Sequence, residues 1–184
     1  MDAYNHLHIG MRKIKTLLTI FIGFLLWQLV RLFFPNLEVH PLFTYAYGVL
    51  EIRDTSQNTK TFGVLRLKAN SVAFGVALLF TPLRIFVHNS LENASLLTFL
   101  DLVLILAGTL IALMLVERLR CGGMSGLSAV YFIILLVFYN GDNPYLYALL
   151  RAIQTLMGVA VAWLVNVVLL PYPRRKQKKE TNQT

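Results

Sequence analysis

Long apolar stretches dominate the chain, broken by short clusters of charge rather than by the polar–apolar alternation of a water-exposed helix or strand. Crossing a hydrocarbon core of about 30 Å takes about 20 predominantly apolar residues. Four segments meet that standard: Thr16–Phe34, Ala69–Val87, Leu96–Val116 and Tyr145–Leu170. Ser125–Tyr139 is shorter but intensely apolar. Pro41–Ile52 is shorter still, rich in aromatic residues, and ended by Glu51 and Arg53. Together these six segments predict an all-α polytopic transmembrane helical bundle of about six spans over residues 1–172. The remainder, 173–184, is basic and without apolar periodicity, and reads as a disordered cytoplasmic tail.

Lysine and arginine set the expected orientation, because they accumulate in cytoplasmic loops. Arg12, Lys13 and Lys15 precede the first segment, whereas Pro35–Pro41 has neither residue type. The next gap carries Arg53, Lys60, Arg66 and Lys68. Val87–Ser95 carries none, with Arg84 nearby. Arg118 and Arg120 follow the fourth segment, Tyr139–Leu146 has none, and the tail holds Arg174, Arg175, Lys176, Lys178 and Lys179. Basic and non-basic gaps alternate strictly once Pro41–Ile52 is counted as a crossing. That pattern predicts both termini inside a bacterial cytoplasmic membrane, crossed several times.

Composition strengthens the membrane reading. Of 184 residues, 57% are hydrophobic and only 14% charged, where soluble domains average about 45–50% and about 25%. Mean hydropathy is +0.62. The net charge of +8 lies beside apolar segments and at the C-terminus, where it faces anionic headgroups of the lipid bilayer; a nucleic-acid partner is not expected. The single cysteine, Cys121, excludes an internal disulfide and reads as a bystander thiol in a cytoplasmic loop. The N-terminal apolar run lacks a small-residue cleavage site and is expected to be a retained span.

Helices associate in lipid through small residues at their contacts. Ser71/Gly75, Ala73/Ala77, Gly108/Ala112 and Gly158/Ala162 are four apart and so share helix faces, making them candidate packing seams. Pro82 is expected to kink the third span or mark its outer end. Gly122–Gly126 reads as a flexible turn. Tyr45, Tyr47, Tyr131, Tyr139, Tyr145 and Tyr147 fall near predicted span ends and suggest an aromatic belt at the headgroups.

No catalytic constellation is present, so an enzyme is not expected, nor a cofactor. His6, His8, His40 and His88 form no helix-spaced pair with a carboxylate inside a span, and a metal site is not expected. The candidates are polar groups within or near lipid, which are costly there and mark functional sites. Asp101 is read either as a protonatable group on a proton path, paired with Arg84 or Arg151, or as an interfacial residue near a helix N-terminus. Arg151, Gln154, Thr155 and Asn166 on the sixth span, and Asn70 on the third, are either substrate contacts or interhelical hydrogen-bonding groups. Glu117 is assigned no role.

Two segments, Gly10-Met-Arg12-Lys-Ile-Lys15-Thr16 and Leu150-Arg151-Ala-Ile-Gln-Thr155-Leu-Met-Gly158 running on to Val165-Asn166 with Pro171 after it, resemble the aromatic acid exporter family, within the fusaric acid resistance-like (FUSC) membrane proteins. The resemblance implies a six-helix membrane bundle that exports aromatic or other small organic anions. It also implies Arg12, Lys15, Arg151 and Thr155 as candidate site residues, the first two on the cytoplasmic side. Many members carry a long cytoplasmic domain or a second membrane half. A homo-oligomer or a membrane partner is therefore expected to supply what this chain lacks. Two functions follow: a small exporter using the proton gradient, or a non-transporting scaffold or accessory subunit in envelope assembly.

Overall fold

The computed structural model describes residues 11–34, 40–53, 56–138 and 143–171. They form six helices: α1 (Met11–Phe33), α2 (Leu42–Glu51), α3 (Ser56–Ser90), α4 (Ala94–Arg118), α5 (Ser125–Val137) and α6 (Pro144–Trp163). A 3-10 turn, Gly122–Met124, leads into α5, and Leu164–Leu169 continues α6 as a π-helical stretch. Among the described residues there is no strand. The basic tail, Tyr139, His6 and His8 lie outside them.

Asparagines start two of the helices. The Asn93 side chain accepts from the backbone N–H groups of Ser95 and Leu96, and Asn143 accepts from those of Tyr145 and Leu146. Each cap satisfies donors that a helix N-terminus leaves open, and Pro144 supplies the fixed φ favoured at the first helical position.

Four helical stretches, α1, α3, α4 and α6 with its π extension, are long and apolar enough to cross a membrane. The ten residues of α2 rise about 15 Å and the 13 of α5 about 20 Å, less than a hydrocarbon core. The largest departure from expectation is α3, which starts at Ser56 rather than Ala69 and ends at Ser90. The stretch containing Lys60, Arg66 and Lys68 is helix, not a loop. Pro82 does not end it either, since the helix runs on past the ring, which sits on an exposed face.

Successive helices run in opposite directions. The start of α2 meets the later part of α1, where a Cβ on Gly23 would touch Thr44, while Gly48 lies against Thr19. The end of α3 meets the start of α4 and the end of α5 through Arg84, Asp101 and Leu136. Thr59 and Gly63 of α3 lie against Asn166 and Val159 of α6. The bundle divides into two trios, α1/α2/α6 and α3/α4/α5, joined mainly where α3 packs on α6.

Small residues set the closest approaches. A Cβ on Gly158 would lie 2.6 Å from the Thr44 carbonyl oxygen and 3.0 Å from the Gly48 nitrogen, so the backbones of α2 and α6 are in contact. Gly108 is covered by the Phe132 ring, and Ala73, Ala77, Ala112 and Ala162 are all buried. Ser71/Gly75 is the exception: both are exposed and nothing lies within 4 Å of a Cβ built on Gly75.

The tyrosines also depart from expectation. Tyr47, Tyr131 and Tyr147 are buried, and Phe43, Tyr47 and Tyr131 pack with ring centroids 5.8–6.2 Å apart. These rings form core, not an interfacial belt; Tyr145 is exposed as expected. Cys121 lies in the connection between α4 and α5, as expected, and is buried there against Ala69, Val116 and Met124. Outside, Leu17, Phe21, Leu25, Leu29 and Leu32 stripe α1, and Phe99, Leu106, Leu110 and Met114 stripe α4, all exposed. Continuous apolar faces of this kind require lipid or a partner to cover them.

Gly158 and Gly75 should therefore respond differently to the same change. Gly158→Val forces α2 off α6 and is expected to cost about 1–3 kcal/mol, the usual range for overpacking. Gly75→Val should be close to neutral. Unfolding of the purified protein in mixed micelles checks both; equal effects would mean that the α2/α6 contact is not the tight point.

Candidate functional site

Arg151, Thr155, Gly158, Ala162 and Asn166 recur at spacings of three and four, so they form one face of α6 over about 22 Å of rise. That face, with α2 and α3 laid against it, is a seam of buried polar groups through the bundle interior.

At the C-terminal end of α6, the Asn166 Oδ1 accepts a 2.6 Å hydrogen bond from the Lys15 ammonium, and its Nδ2 donates to the Arg53 carbonyl oxygen at 3.0 Å and to the Thr59 hydroxyl. One amide thus joins α1, α3, α6 and the segment linking α2 to α3. The helix widens to a π stretch here, a local change often found at functional positions. Lys15, expected to flank the first span, is the fifth residue of α1 and fully buried. Arg12, one turn earlier, is exposed.

Next along the seam, Arg66 and Glu51 form an ion pair at 2.9 Å with side chains only 1% and 0% exposed. The contact lies off the hydrogen-bonding direction, leaving capacity on Glu51 and on Arg66 Nε and Nη1 unused among the described residues. The guanidinium also stands 5.7 Å from the centre of the Tyr47 ring. Gly63 makes room for the carboxylate: a Cβ there would lie 3.6 Å from Glu51 Oε1 and 3.1 Å from Val159.

Asn70 follows one turn beyond Arg66 on the same face of α3. It lines a cavity of about 90 Å³ with Leu67, Ser71, Phe74, Tyr131 and Thr155. The Thr155 hydroxyl donates to the Arg151 carbonyl oxygen at 2.9 Å.

At the N-terminal end of α6, Arg151 and Gln154 hold the chain entering α2. Arg151 Nη1 donates to the His40 carbonyl oxygen at 3.1 Å and to Gln154 Oε1 at 2.9 Å, and Gln154 Nε2 donates to the same carbonyl at 2.9 Å. The guanidinium lies 4.7 Å from the Phe43 ring centre and 4.8 Å from that of Tyr147.

Asp101 is elsewhere. Its carboxylate accepts from Arg84 Nε at 3.2 Å and Nη2 at 3.4 Å and contacts His88 Nε2 at 3.0 Å, while Arg84 Nη1 donates to the Leu136 carbonyl oxygen. The cluster fastens α3 to α4 and α5. Of the two partners considered from sequence, Arg84 is the one in contact; Arg151 belongs to the seam. Among the described residues α4 packs only on α3, α5 and the turn before α5, so Asp101 stands apart from Asn70, Thr155, Arg151 and Asn166.

Sequence reasoning missed Glu51, Arg66 and Tyr47 as interior groups. A signal was available. Thr59, Gly63, Arg66, Asn70, Ala73 and Ala77 alternate spacings of four and three, and all are buried. The repeat is composed of small and polar residues, so a search for apolar periodicity passes over it.

Fold and seam define an all-helical bundle with four membrane-length apolar helices, built around buried ionic and amide groups. Compared with known proteins, the chain matches no family model, no curated protein and no solved structure.

Removing one member of the Glu51–Arg66 pair strands the other charge inside the bundle, which typically costs about 3–5 kcal/mol. Glu51→Gln and Arg66→Met are each expected to destabilise by about that amount, and the double variant by clearly less than either. A double-mutant cycle on unfolding in mixed micelles measures this. Additive losses would show that the two side chains do not act as a pair.

Proposed function

We propose that the protein is a small exporter of organic acids, aromatic acids among them, in a bacterial cytoplasmic membrane. The helices cross six times with both termini inside, α2 and α5 as short crossings buried among longer helices. The observation that carries this reading is the buried Glu51–Arg66 pair, set in a row of polar groups from Lys15 and Asn166 to Arg151. Ionisable residues inside membrane helices are costly, face the bundle interior and mark substrate and ion pathways. The resemblance of the α1 and α6 segments to aromatic acid exporters supports the same class of cargo. The exposed apolar faces of α1 and α4 leave room for a homo-oligomer, in which a second copy completes the path.

One observation favours the other reading, a non-transporting scaffold or accessory subunit. The cavity at Asn70 and Thr155 is about 90 Å³, whereas pockets for drug-sized ligands measure about 300–1,000 Å³; the larger space of about 580 Å³ beside Thr59, Gly63 and Val159 is walled mainly by apolar side chains such as Leu67, Leu156 and Trp163. For an exporter, whole cargo reaches the polar groups at Asn70 only when that cavity opens.

Reconstitution separates the two. Proteoliposomes loaded with 4-hydroxybenzoate are expected to release it faster than protein-free vesicles, with a dependence on the imposed proton gradient. The Glu51→Gln/Arg66→Met double variant should lose at least about tenfold of that rate, about 1.4 kcal/mol of barrier. Release equal to that of empty vesicles in both gradient directions, from folded protein, would establish the scaffold reading instead.

A further inference from the structure

Almost every polar side chain along the seam is committed to a neighbour. Asn70 is not. It is 4% exposed, and among the described residues neither its Nδ2 nor its Oδ1 has a hydrogen-bond partner. Tyr47 approaches the amide from α2 without reaching hydrogen-bond geometry. Buried amides in native proteins are almost always satisfied, so the Asn70 side chain calls for an occupant in the cavity that it lines. That occupant must accept one hydrogen bond and donate another.

The charge of the surroundings narrows the choice. No Lys, Arg, Asp or Glu lines the cavity. Arg66, one turn before Asn70 on α3, is held by Glu51, and Arg151, one turn before Thr155 on α6, is held by the His40 carbonyl and Gln154. Asp101, Arg84 and His88 lie at the α4 side of α3. From α5 the cavity meets the Tyr131 phenol, and from α6 the Thr155 hydroxyl and Leu156. The Thr155 and Ser71 hydroxyls donate to carbonyls of their own helices, and the Tyr131 phenol lies beside the Thr155 oxygen.

A carboxylate only accepts hydrogen bonds, so placed here it could take the Asn70 N–H but would leave the amide oxygen facing another acceptor. A carboxamide and a protonated carboxyl group are complementary: the amide N–H donates to the acid C=O, and the acid O–H donates to the amide oxygen. On the export reading above, we infer that Asn70 binds the transported acid in its uncharged form through this two-point amide–acid pair. The acid is bound with its proton on and Asn70 neither takes nor gives one; because that proton leaves with the acid, an inward-directed proton gradient slows export in this form and an outward-directed one speeds it. The cavity accommodates the carboxyl head while the rest of the cargo lies along the apolar walls formed by Phe74 and Leu156. Selection here is for a neutral group with one donor and one acceptor; a primary amide of the same shape should fit equally well.

Equilibrium binding of labelled benzoate and benzamide to the full chain in nanodiscs tests this, with empty nanodiscs subtracted. Benzamide, which does not titrate in the range, should bind equally at about pH 5 and about pH 7. Benzoate binding should weaken about tenfold per pH unit above the acid's pKa of about 4, following the uncharged fraction. Asn70→Leu should weaken both by at least about tenfold, while its melting temperature stays equal or rises because an unsatisfied buried amide has been removed. The melting temperature thus separates a lost site from a lost fold. Benzoate binding that is equal at the two pH values, or binding that survives Asn70→Leu, would overturn the inference. So would absence of binding by either compound to the unaltered protein, which leaves water as the occupant. If the unaltered protein still exports in vesicles after any of these results, the export reading stands and only the role of Asn70 fails. Intact, pH-dependent binding without export would remove the export reading instead.

Discussion

The polar seam depends on one contact: the backbone of α2 lying directly on the backbone of α6. Ten residues make a helix too short to be stable by itself. Removing side chains at Gly48 and Gly158, and at Gly23 on α1, lets α2 sink between its neighbours until the Thr44 carbonyl nearly touches Gly158. The Thr44 hydroxyl then donates to the Gln154 carbonyl oxygen at 3.3 Å. Once α2 is seated, its two ends fall into place. Its N-terminal end brings the His40 carbonyl over Arg151 and Gln154, and its C-terminal end delivers Glu51 to Arg66.

The two trios are held by different physics. In α3/α4/α5 the interior is aliphatic and aromatic, with Ala73, Ala77, Ala112, Phe132, Leu135 and Leu136 in one cluster, and a single arginine, Arg84, tying three helices at one end. In α1/α2/α6 the interior combines glycines with hydrogen-bonded polar groups. Lipid offers no hydrophobic drive between helices, so close backbone approach and hydrogen bonds must supply the attraction. α3 belongs to both systems. Its stripe from Thr59 to Ala77 begins polar, where it meets α2 and α6, and ends in alanine, where it meets α5 and α4.

How much of this is legible in the sequence follows from what each element displays. The helical bundle, α1, α4 and α6 are plain, because an apolar run of membrane length has few other interpretations. Gly158/Ala162 and Gly108/Ala112 are legible as seams through their spacing. The start of α3 is not, because Lys60, Arg66 and Lys68 carry the charge of a loop, and only the partner Glu51, on another helix, makes Arg66 an interior residue. The same holds for Tyr47 and Tyr131. Their position near span ends suggests headgroups, and it is the short α2 that turns those ends inward. His88 on Asp101 is likewise a contact between helices that no spacing within one helix encodes. Contacts that are sequence-distant and made by single polar residues leave no periodic trace.

A bundle with four apolar helices of membrane length has to satisfy its interior polar groups from within. Each cation on the seam is engaged: Arg66 by the Glu51 carboxylate, Lys15 by the Asn166 oxygen, and Arg151 by two neutral oxygens and two aromatic faces. At Asn70 both amide atoms are without a partner among the described residues. A group that only accepts hydrogen bonds would leave the amide oxygen without a donor, whereas a neutral group with one donor and one acceptor meets both atoms. The site proposed there is thus a consequence of which partners the rest of the seam has already taken.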